Sequence, residues 1–235
     1  MKKAIIRMTT LVFSLALVLS FSLSVSATEG QMTLEEVFLE AQANYSVSPA
    51  RYSADDPGVS PVYYEEQEMP DGSTLIVTGY PTDYTNDETP LEPGQELNSY
   101  IYSLTRSGLD EYGVRRSTVW GYFSSTIKYE TDIIYDMEMV RIDSFSYEVE
   151  LDSGYSMSLM EVTYFSYWAN EVSEDYTFTT TSLTMTNYPT TRLGWVYNNS
   201  MTEVLSNTGV KYDLTINGTH YAFIHNLVPY GFLED

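Results

Sequence analysis

The sequence predicts a mainly β fold: an antiparallel β-sandwich or barrel-like sheet with one N-terminal helix. From Val114 onward, β-branched, aromatic and Ser/Thr-rich runs are separated by short turn signals. Two segments carry the turn residues of defined hairpins, and no β-α-β alternation or fixed-period repeat is visible. We therefore expect about six to nine strands joined mostly by hairpins.

The first 27 residues have the pattern of a secretory signal peptide. Lys2, Lys3 and Arg7 form a basic start, residues 11–21 are mostly apolar, and Ala27 ends a small-residue cleavage site. The apolar stretch is shorter than the roughly 20 residues that span a bilayer. We expect a secreted protein, extracellular or loosely wall-associated, with no membrane contact after cleavage. The Lys-Lys start, the Ser-rich leader and the lack of cysteine are typical of a Gram-positive bacterium.

The rest of the chain is predicted to have two parts. Residues 28–99 hold the N-terminal helix, an acidic segment rich in Pro and Asp, and one hairpin, whereas residues 100–235 form a β-rich domain. The alternative is that residues 28–235 form a single domain, because a chain of this length can build one core.

The helix is predicted over residues 33–45. Thr33 and Glu36 have the spacing of a capping box, in which each side chain binds a backbone N–H group of the other residue. The apolar residues fall at i, i+3, i+4 and i+7, and they are Leu34, Val37, Phe38 and Ala41. Such a stripe must pack against another element of the fold.

The first hairpin is predicted between residues 62–68 and 73–80, around the turn Pro70-Asp71-Gly72. Proline sets the backbone angle that the turn requires, and glycine accepts a positive φ.

Residues 93–108 fit two structures. The spacing of Leu97, Tyr100, Ile101 and Leu104 is that of a helix, whereas Tyr100 and Leu104 also alternate with Tyr102 as on a strand face. We favour a second short helix, ended by Gly108.

The clearest strand is predicted over residues 144–151. Its even-numbered residues are Ser144, Ser146, Glu148 and Glu150, and its odd-numbered residues are Phe145, Tyr147, Val149 and Leu151. The alternation predicts one face in the core and one face in water.

The second hairpin is predicted at Asn217-Gly218, the pair that a type I′ turn requires. A two-residue loop pairs Ile216 with Thr219 and continues through three further pairs, namely Leu214 with Tyr221, Tyr212 with Phe223 and Val210 with His225. It also places His220 and His225 on opposite strand faces, so that the two histidines are not expected to share a metal ion.

Composition excludes several classes of function. The chain has 11 Lys+Arg against 33 Asp+Glu and a net charge of −22, which disfavours binding to nucleic acid. It has no cysteine, which excludes a thiolate nucleophile and a cysteine-ligated metal. We expect no cofactor and no metal site, with calcium at strand carboxylates or at Asp55 and Asp56 as an alternative based on charge alone.

Three carboxylates are the candidate catalytic groups: Glu148, Glu150 and Asp152. They occupy i, i+2 and i+4 of one strand face, about 6.6 Å apart at each step. That separation suits the acid and base of glycoside hydrolysis. The run Glu148-Val149-Glu150-Leu151-Asp152 resembles the alternating E-x-D-x-E strand of jelly-roll glycoside hydrolases of family 16, although its order is Glu, Glu, Asp and its third acid opens a turn. The resemblance implies a small carboxylate-dependent glycoside hydrolase.

Aromatic pairs are the candidate ligand-binding groups. Trp120 and Tyr122 are predicted to share one strand face, as are Trp195 and Tyr197. Each ring has an apolar body and a polar tip, which suits contact with a sugar ring or a protein surface.

A serine hydrolase is disfavoured because the G-x-S-x-G motif is missing. We expect a secreted bacterial, non-catalytic binding or interaction protein whose partner is an extracellular glycan or a protein. The alternatives are the glycoside hydrolase and a bacteriocin-like or toxin-like effector.

Overall fold

The computed structural model describes residues 32–47, 63–134, 136–168, 171–190, 193–197 and 206–227. The predicted signal peptide and the Asp55-Asp56 pair lie outside these ranges. Within them, no helix is long and apolar enough to cross a membrane. The described elements are the helix α1 (Leu34–Val47) and the strands β1 (Tyr63–Glu68), β2 (Thr74–Pro81), β3 (Gln95–Leu109), β4 (Arg115–Ile134), β5 (Met137–Leu151), β6 (Met157–Trp168), β7 (Glu171–Thr180), β8 (Thr184–Pro189), β9 (Val196–Tyr197), β10 (Ser206–Ile216) and β11 (Thr219–Asn226).

The strands form two antiparallel sheets that face each other. The large sheet has the order β1-β2-β3-β4-β5-β8, and β9 also pairs with β5. The small sheet has the order β11-β10-β6-β7. Of the two architectures that the sequence predicts, the sandwich is the one observed. Among the described strands, β1 is an edge strand of the large sheet, with the sequence YYEEQE and five of its six residues exposed.

One apolar core fills the space between the sheets. Phe123 of β4 lies near its centre, with ring centroids 4.7 Å from Tyr212 and 4.9 Å from Phe223 of the small sheet. Tyr102 and Tyr147 complete the contacts of this ring from the large sheet. All five aromatic rings are at most 1% exposed. Alternation along β3, β4, β5, β10 and β11 therefore directs large side chains into a shared interior.

The outer face of the large sheet is covered by α1. The predicted capping box is present: the backbone N–H of Thr33 donates to Glu36 (2.9 Å), and the N–H of Glu36 donates to the Thr33 hydroxyl (3.2 Å). The predicted stripe is buried, and Phe38 packs between the rings of Tyr80 (5.4 Å) and Tyr122 (5.5 Å).

Residues 93–108 do not form the predicted second helix, because the segment is strand β3. Both of its faces are buried: Ile101 faces α1, whereas Tyr102 and Leu104 face the core between the sheets. A strand buried on both faces has no strict apolar and polar alternation, and its apolar residues can fall by chance at helical spacing.

Both predicted hairpins are confirmed. Strands β1 and β2 are joined by a turn in which Gly72 has a φ of 77°, as the Pro-Asp-Gly sequence predicts. Strands β10 and β11 have the predicted register from the Ile216–Thr219 pair to the Val210–His225 pair. Asn217 and Gly218 both have positive φ, at 47° and 79°, which is the conformation of a type I′ turn.

A segment without regular structure, residues 82–94, crosses the outer face of the large sheet. We call it the strap. The amide of Asn86 donates to the backbone oxygen of Tyr147 (2.9 Å), and Asp87 forms a buried ion pair with Lys128 of β4. The outer face of β5 is therefore not fully in water as predicted: Ser144 and Ser146 are 4% and 1% exposed.

Candidate functional site

The three candidate catalytic carboxylates lie on or beside the covered outer face of the large sheet. Glu148 accepts a hydrogen bond from the phenol of Tyr84 in the strap (2.6 Å). Glu150 accepts one from the backbone N–H of Leu34 in the first turn of α1 (2.7 Å). Asp152 is exposed where β5 ends, and its backbone N–H donates to the Trp120 carbonyl (3.0 Å). Glu148 and Glu150 thus hold the strap and the helix to the sheet.

The first aromatic pair does not share a face, contrary to the sequence prediction. Trp120 packs in the core between the sheets, whereas Tyr122 packs under α1. The cause is a β-bulge: Leu104 pairs with Gly121 and Thr105 pairs with Val119, so that Trp120 is an extra residue in β4. A bulge reverses the alternation of side chains beyond it.

The second aromatic pair lies at the opposite edge of the large sheet. Trp195 is half-buried, and the guanidinium of Arg141 lies 4.8 Å from the centre of its ring. Arg141 also pairs with Glu130 (2.8 Å) and Asp143 (3.3 Å). The backbone of Tyr197 pairs with Met139, but its side chain lies outside the described residues.

A serine, a histidine and an asparagine form a hydrogen-bonded chain inside the sandwich. His225 Nδ1 lies 2.8 Å from Ser125 Oγ, and His225 Nε2 lies 2.7 Å from Asn98 Oδ1. His225 stacks on Tyr100 with ring centroids 4.4 Å apart. Burial lowers the pKa of His225 to about 3, so that the imidazole is neutral.

Serine, histidine and asparagine are residue types found in catalytic triads, but here the serine and the histidine are not accessible to a substrate. Ser125 and His225 are both 0% exposed, and Ser125 also bonds to the buried Tyr212 phenol (2.8 Å). His225 is therefore a buried residue, one position before the end of β11. His220 lies on the opposite strand face with a side chain 57% exposed, as the hairpin register predicts. Among the residues that the structure describes, no three metal-ligating side chains converge.

A predicted site residue, Trp120, lines a groove at one end of the sandwich, which we call the Trp120 groove. It has a volume of about 400 Å³ and lies between the β1–β2 turn and the β3–β4 turn. Its lining residues are Asp71, Gly72, Ser73, Arg106, Gly108, Leu109, Asp110, Arg116, Thr118 and Trp120.

In the inner part of the groove, Arg106 lies over the indole of Trp120. The Arg106 guanidinium lies 5.6 Å from the centre of the Trp120 ring, and the Tyr155 ring stacks on the same indole at 4.9 Å. Arg106 Nε donates to Ser73 Oγ (3.0 Å), and the guanidinium pairs with Asp71. Trp120 itself is only 7% exposed, so a ligand meets Arg106 before it meets the indole.

The outer part of the groove is lined by the β3–β4 turn, which is held by hydrogen bonds to Asp110. Asp110 Oδ1 accepts hydrogen bonds from the N–H groups of Tyr112 and Val114, both at 2.9 Å, and Asp110 pairs with Arg116 (2.7 Å). These bonds lower the pKa of Asp110, with the Val114 N–H as the main cause and Arg116 next. Hydrogen bonds from Ser73, followed by the Arg106 charge, likewise lower the pKa of Asp71. Both carboxylates of the groove are therefore ionised at neutral pH.

Basic residues are concentrated at this end of an acidic protein. Arg106, Arg115 and Arg116 are half of the Lys and Arg residues that the structure describes. Trp120 is predicted from the sequence as a ligand-binding residue, whereas Arg106 and Arg116 are not. The available signal was three arginines flanking a turn in a chain with few cations.

The comparisons with known proteins identify no relative of this chain. No protein-family model matches the chain, no curated protein matches it, and no solved structure matches it.

Proposed function

We propose that this chain is a secreted bacterial protein that binds an extracellular ligand in the Trp120 groove without catalysis. The observation that carries the proposal is the groove itself, where Arg106, Arg116 and an aromatic floor meet in a chain of net charge −22. Ionic groups beside an aromatic surface, in a cavity of this size, are typical of a small-ligand site.

The hydrogen bonds that two of the candidate acids make within the fold support a non-catalytic function. A glycoside hydrolase needs two carboxylates that face a shared substrate. Here Glu148 binds the strap and Glu150 binds α1, and neither residue lines the Trp120 groove. The polar chain of Ser125 and His225 has no exposed surface through which a substrate could reach it.

Binding to a glycan array and to isolated bacterial cell walls tests this proposal. The secreted form is expected to begin at Thr28, which N-terminal sequencing measures. We expect wild-type protein to bind, and Arg106→Gln to lose at least tenfold in affinity. Arg141→Gln is the matched control, because Arg141 also stacks on a tryptophan and pairs with acids, outside the groove. Equal loss in both variants, or no loss in Arg106→Gln, contradicts a groove-based function.

A further inference from the structure

We propose that the ligand of the Trp120 groove is a saccharide bearing a single carboxylate, which replaces Asp71 as the partner of Arg106. This inference rests on the binding function proposed above and specifies its ligand. It is carried by the contacts of Arg106, the polar and apolar groups around the groove, and the charge of the whole chain.

The pairing of Arg106 with Asp71 shows the chemistry that the groove accepts. An arginine has five N–H donors in a planar fork that fits a carboxylate, and the bonds to Ser73 and Asp71 use two of them. The Asp71 side chain is 56% exposed and sits on a hairpin turn, so that water can solvate it if it leaves Arg106. Arg106 itself is held by Trp120 and Ser73. An incoming carboxylate would therefore meet a prepositioned guanidinium.

Polar groups around Arg106 suit sugar hydroxyls. Ser73, Thr118 and Asp110 line the groove and offer hydroxyl and carboxylate oxygens. The Thr118 hydroxyl can donate or accept a hydrogen bond, and a carboxylate oxygen can accept more than one, so the groove has hydrogen-bonding capacity beyond the pair that Arg106 already makes.

The position of the groove favours a saccharide over an extended peptide. A peptide commonly adds to a sheet along an edge strand. The Trp120 groove instead lies where β2 and β4 begin and β3 ends, and these strands are all paired on both sides within the large sheet. Leu109 lines the groove and is 69% exposed, and Tyr112, in the same β3–β4 turn, is 79% exposed; such side chains can cover the apolar face of a sugar ring.

The charge of the chain limits the ligand to an isolated carboxylate. A net charge of −22 repels a polymer with many acidic groups. A single carboxylate needs only the Arg106 guanidinium as its partner, since Asp71 and Asp110 balance the charges of Arg106 and Arg116, and it contributes little long-range repulsion. A saccharide with one terminal acidic sugar fits both conditions.

The test compares each acidic saccharide with its uncharged methyl ester. Disaccharides ending in glucuronic acid, sialyllactose, and the methyl ester of each are titrated into wild-type protein and followed by calorimetry and NMR. We expect at least one acid to bind tenfold or more tightly than its ester. Arg106→Gln should abolish this preference, and Arg141→Gln should keep it. Asp71→Asn should tighten acid binding several-fold, because the competing internal carboxylate is gone.

Other outcomes overturn the inference and leave the two proposals distinguishable. If esters or neutral saccharides bind as tightly as the acids through a groove that Arg106→Gln disrupts, the binding function stands and the carboxylate specificity is wrong. If an acidic tetrapeptide binds and none of the saccharides does, the binding function stands and the assignment of a saccharide ligand is wrong. If wild-type protein and Arg106→Gln behave identically on every array and wall preparation, the binding function itself is wrong.

Discussion

Lys128 and Asp87 form an ion pair of 3.2 Å between side chains that are 6% and 2% exposed. Lys128 belongs to β4 and Asp87 belongs to the strap, so the pair joins an irregular segment to the centre of the large sheet. Burial alone would raise the pKa of Asp87, but hydrogen bonds from Thr89 and the contact with Lys128 outweigh it and lower that pKa. The carboxylate therefore stays ionised beneath the strap.

Removing one partner of this pair should destabilise the fold strongly. Lys128→Met leaves the Asp87 carboxylate buried without its cation, and we expect the free energy of unfolding to fall by about 3–5 kcal/mol. Urea denaturation followed by circular dichroism measures the change. The double variant Lys128→Met with Asp87→Asn should recover part of the loss, since no buried charge remains. A loss below about 1 kcal/mol in the single variant would contradict a buried, structural role.

Stability should fall as the pH falls below neutrality, because His225 is held neutral in the folded state. Its pKa is about 3 in the fold against an ordinary value of 6.5, so protons bind the unfolded chain more readily. The stabilisation is fully present above pH 6.5 and is lost progressively as the pH falls from 6.5 toward 3. The expected slope reaches about 1.4 kcal/mol per pH unit.

Denaturation series between pH 7 and pH 4.5 measure this slope, before most carboxylates titrate. His225→Asn should flatten it, and His220→Gln, at the exposed histidine, should leave it unchanged. If the stability of the wild-type protein stays constant across this interval, His225 is not held buried and neutral in the fold, whether or not His225→Asn folds.

The packing of α1 on the large sheet can be tested by substituting Phe38. Phe38 is 7% exposed between Tyr80 and Tyr122, and Phe38→Ala should lower the free energy of unfolding by about 3–5 kcal/mol through lost contacts and a cavity. Leu39 follows it on the exposed face of the helix, at 53% exposure, and Leu39→Ala should change stability by less than about 0.5 kcal/mol. Similar effects of the two substitutions would mean that α1 is not packed as described.

The bulge at Trp120 depends on Gly121. A Cβ atom there would lie 2.4 Å from the backbone oxygen of Glu150, so Gly121→Ala requires the two strands to separate. We expect a loss of about 1–3 kcal/mol and a weaker ligand affinity, because Trp120 and Arg106 would shift with β4. Gly108→Ala is the control for stability alone, since Gly108 lines the groove but its Cβ would make an ordinary contact of 3.5 Å with Ser73. Melting temperatures that are unchanged in Gly121→Ala would refute this packing.

The elements that sequence reasoning predicted correctly are those specified by nearby residues. The capping box of α1 needs only Thr33 and Glu36, and the whole register of β10 and β11 follows from Asn217-Gly218. Strand β3 was mispredicted because its environment is tertiary: α1 covers one face and the small sheet covers the other.

The candidate site likewise combines residues that local sequence predicts with contacts that only the tertiary structure creates. Trp120 was selected from the sequence, but its partner residues were not, because Asp71 and Arg106 meet only through the pairing of β2 with β3. The bulge that turns Trp120 away from Tyr122 leaves no signal in local alternation. Glu148 and Glu150 were placed correctly on one strand face, yet the strap and the helix that use them come from residues more than 60 positions away.

The charge of the acidic edge strand β1 disfavours polymerisation through that edge. A sheet edge presents backbone N–H and C=O groups that can pair with the same edge of a second molecule and extend into fibrils. Glu65, Glu66 and Glu68 occupy half of β1, and the phenols of Tyr63 and Tyr64 donate to the first two of them. Two such edges brought together would oppose carboxylate to carboxylate, so the charge at this strand keeps the sheets of neighbouring molecules apart.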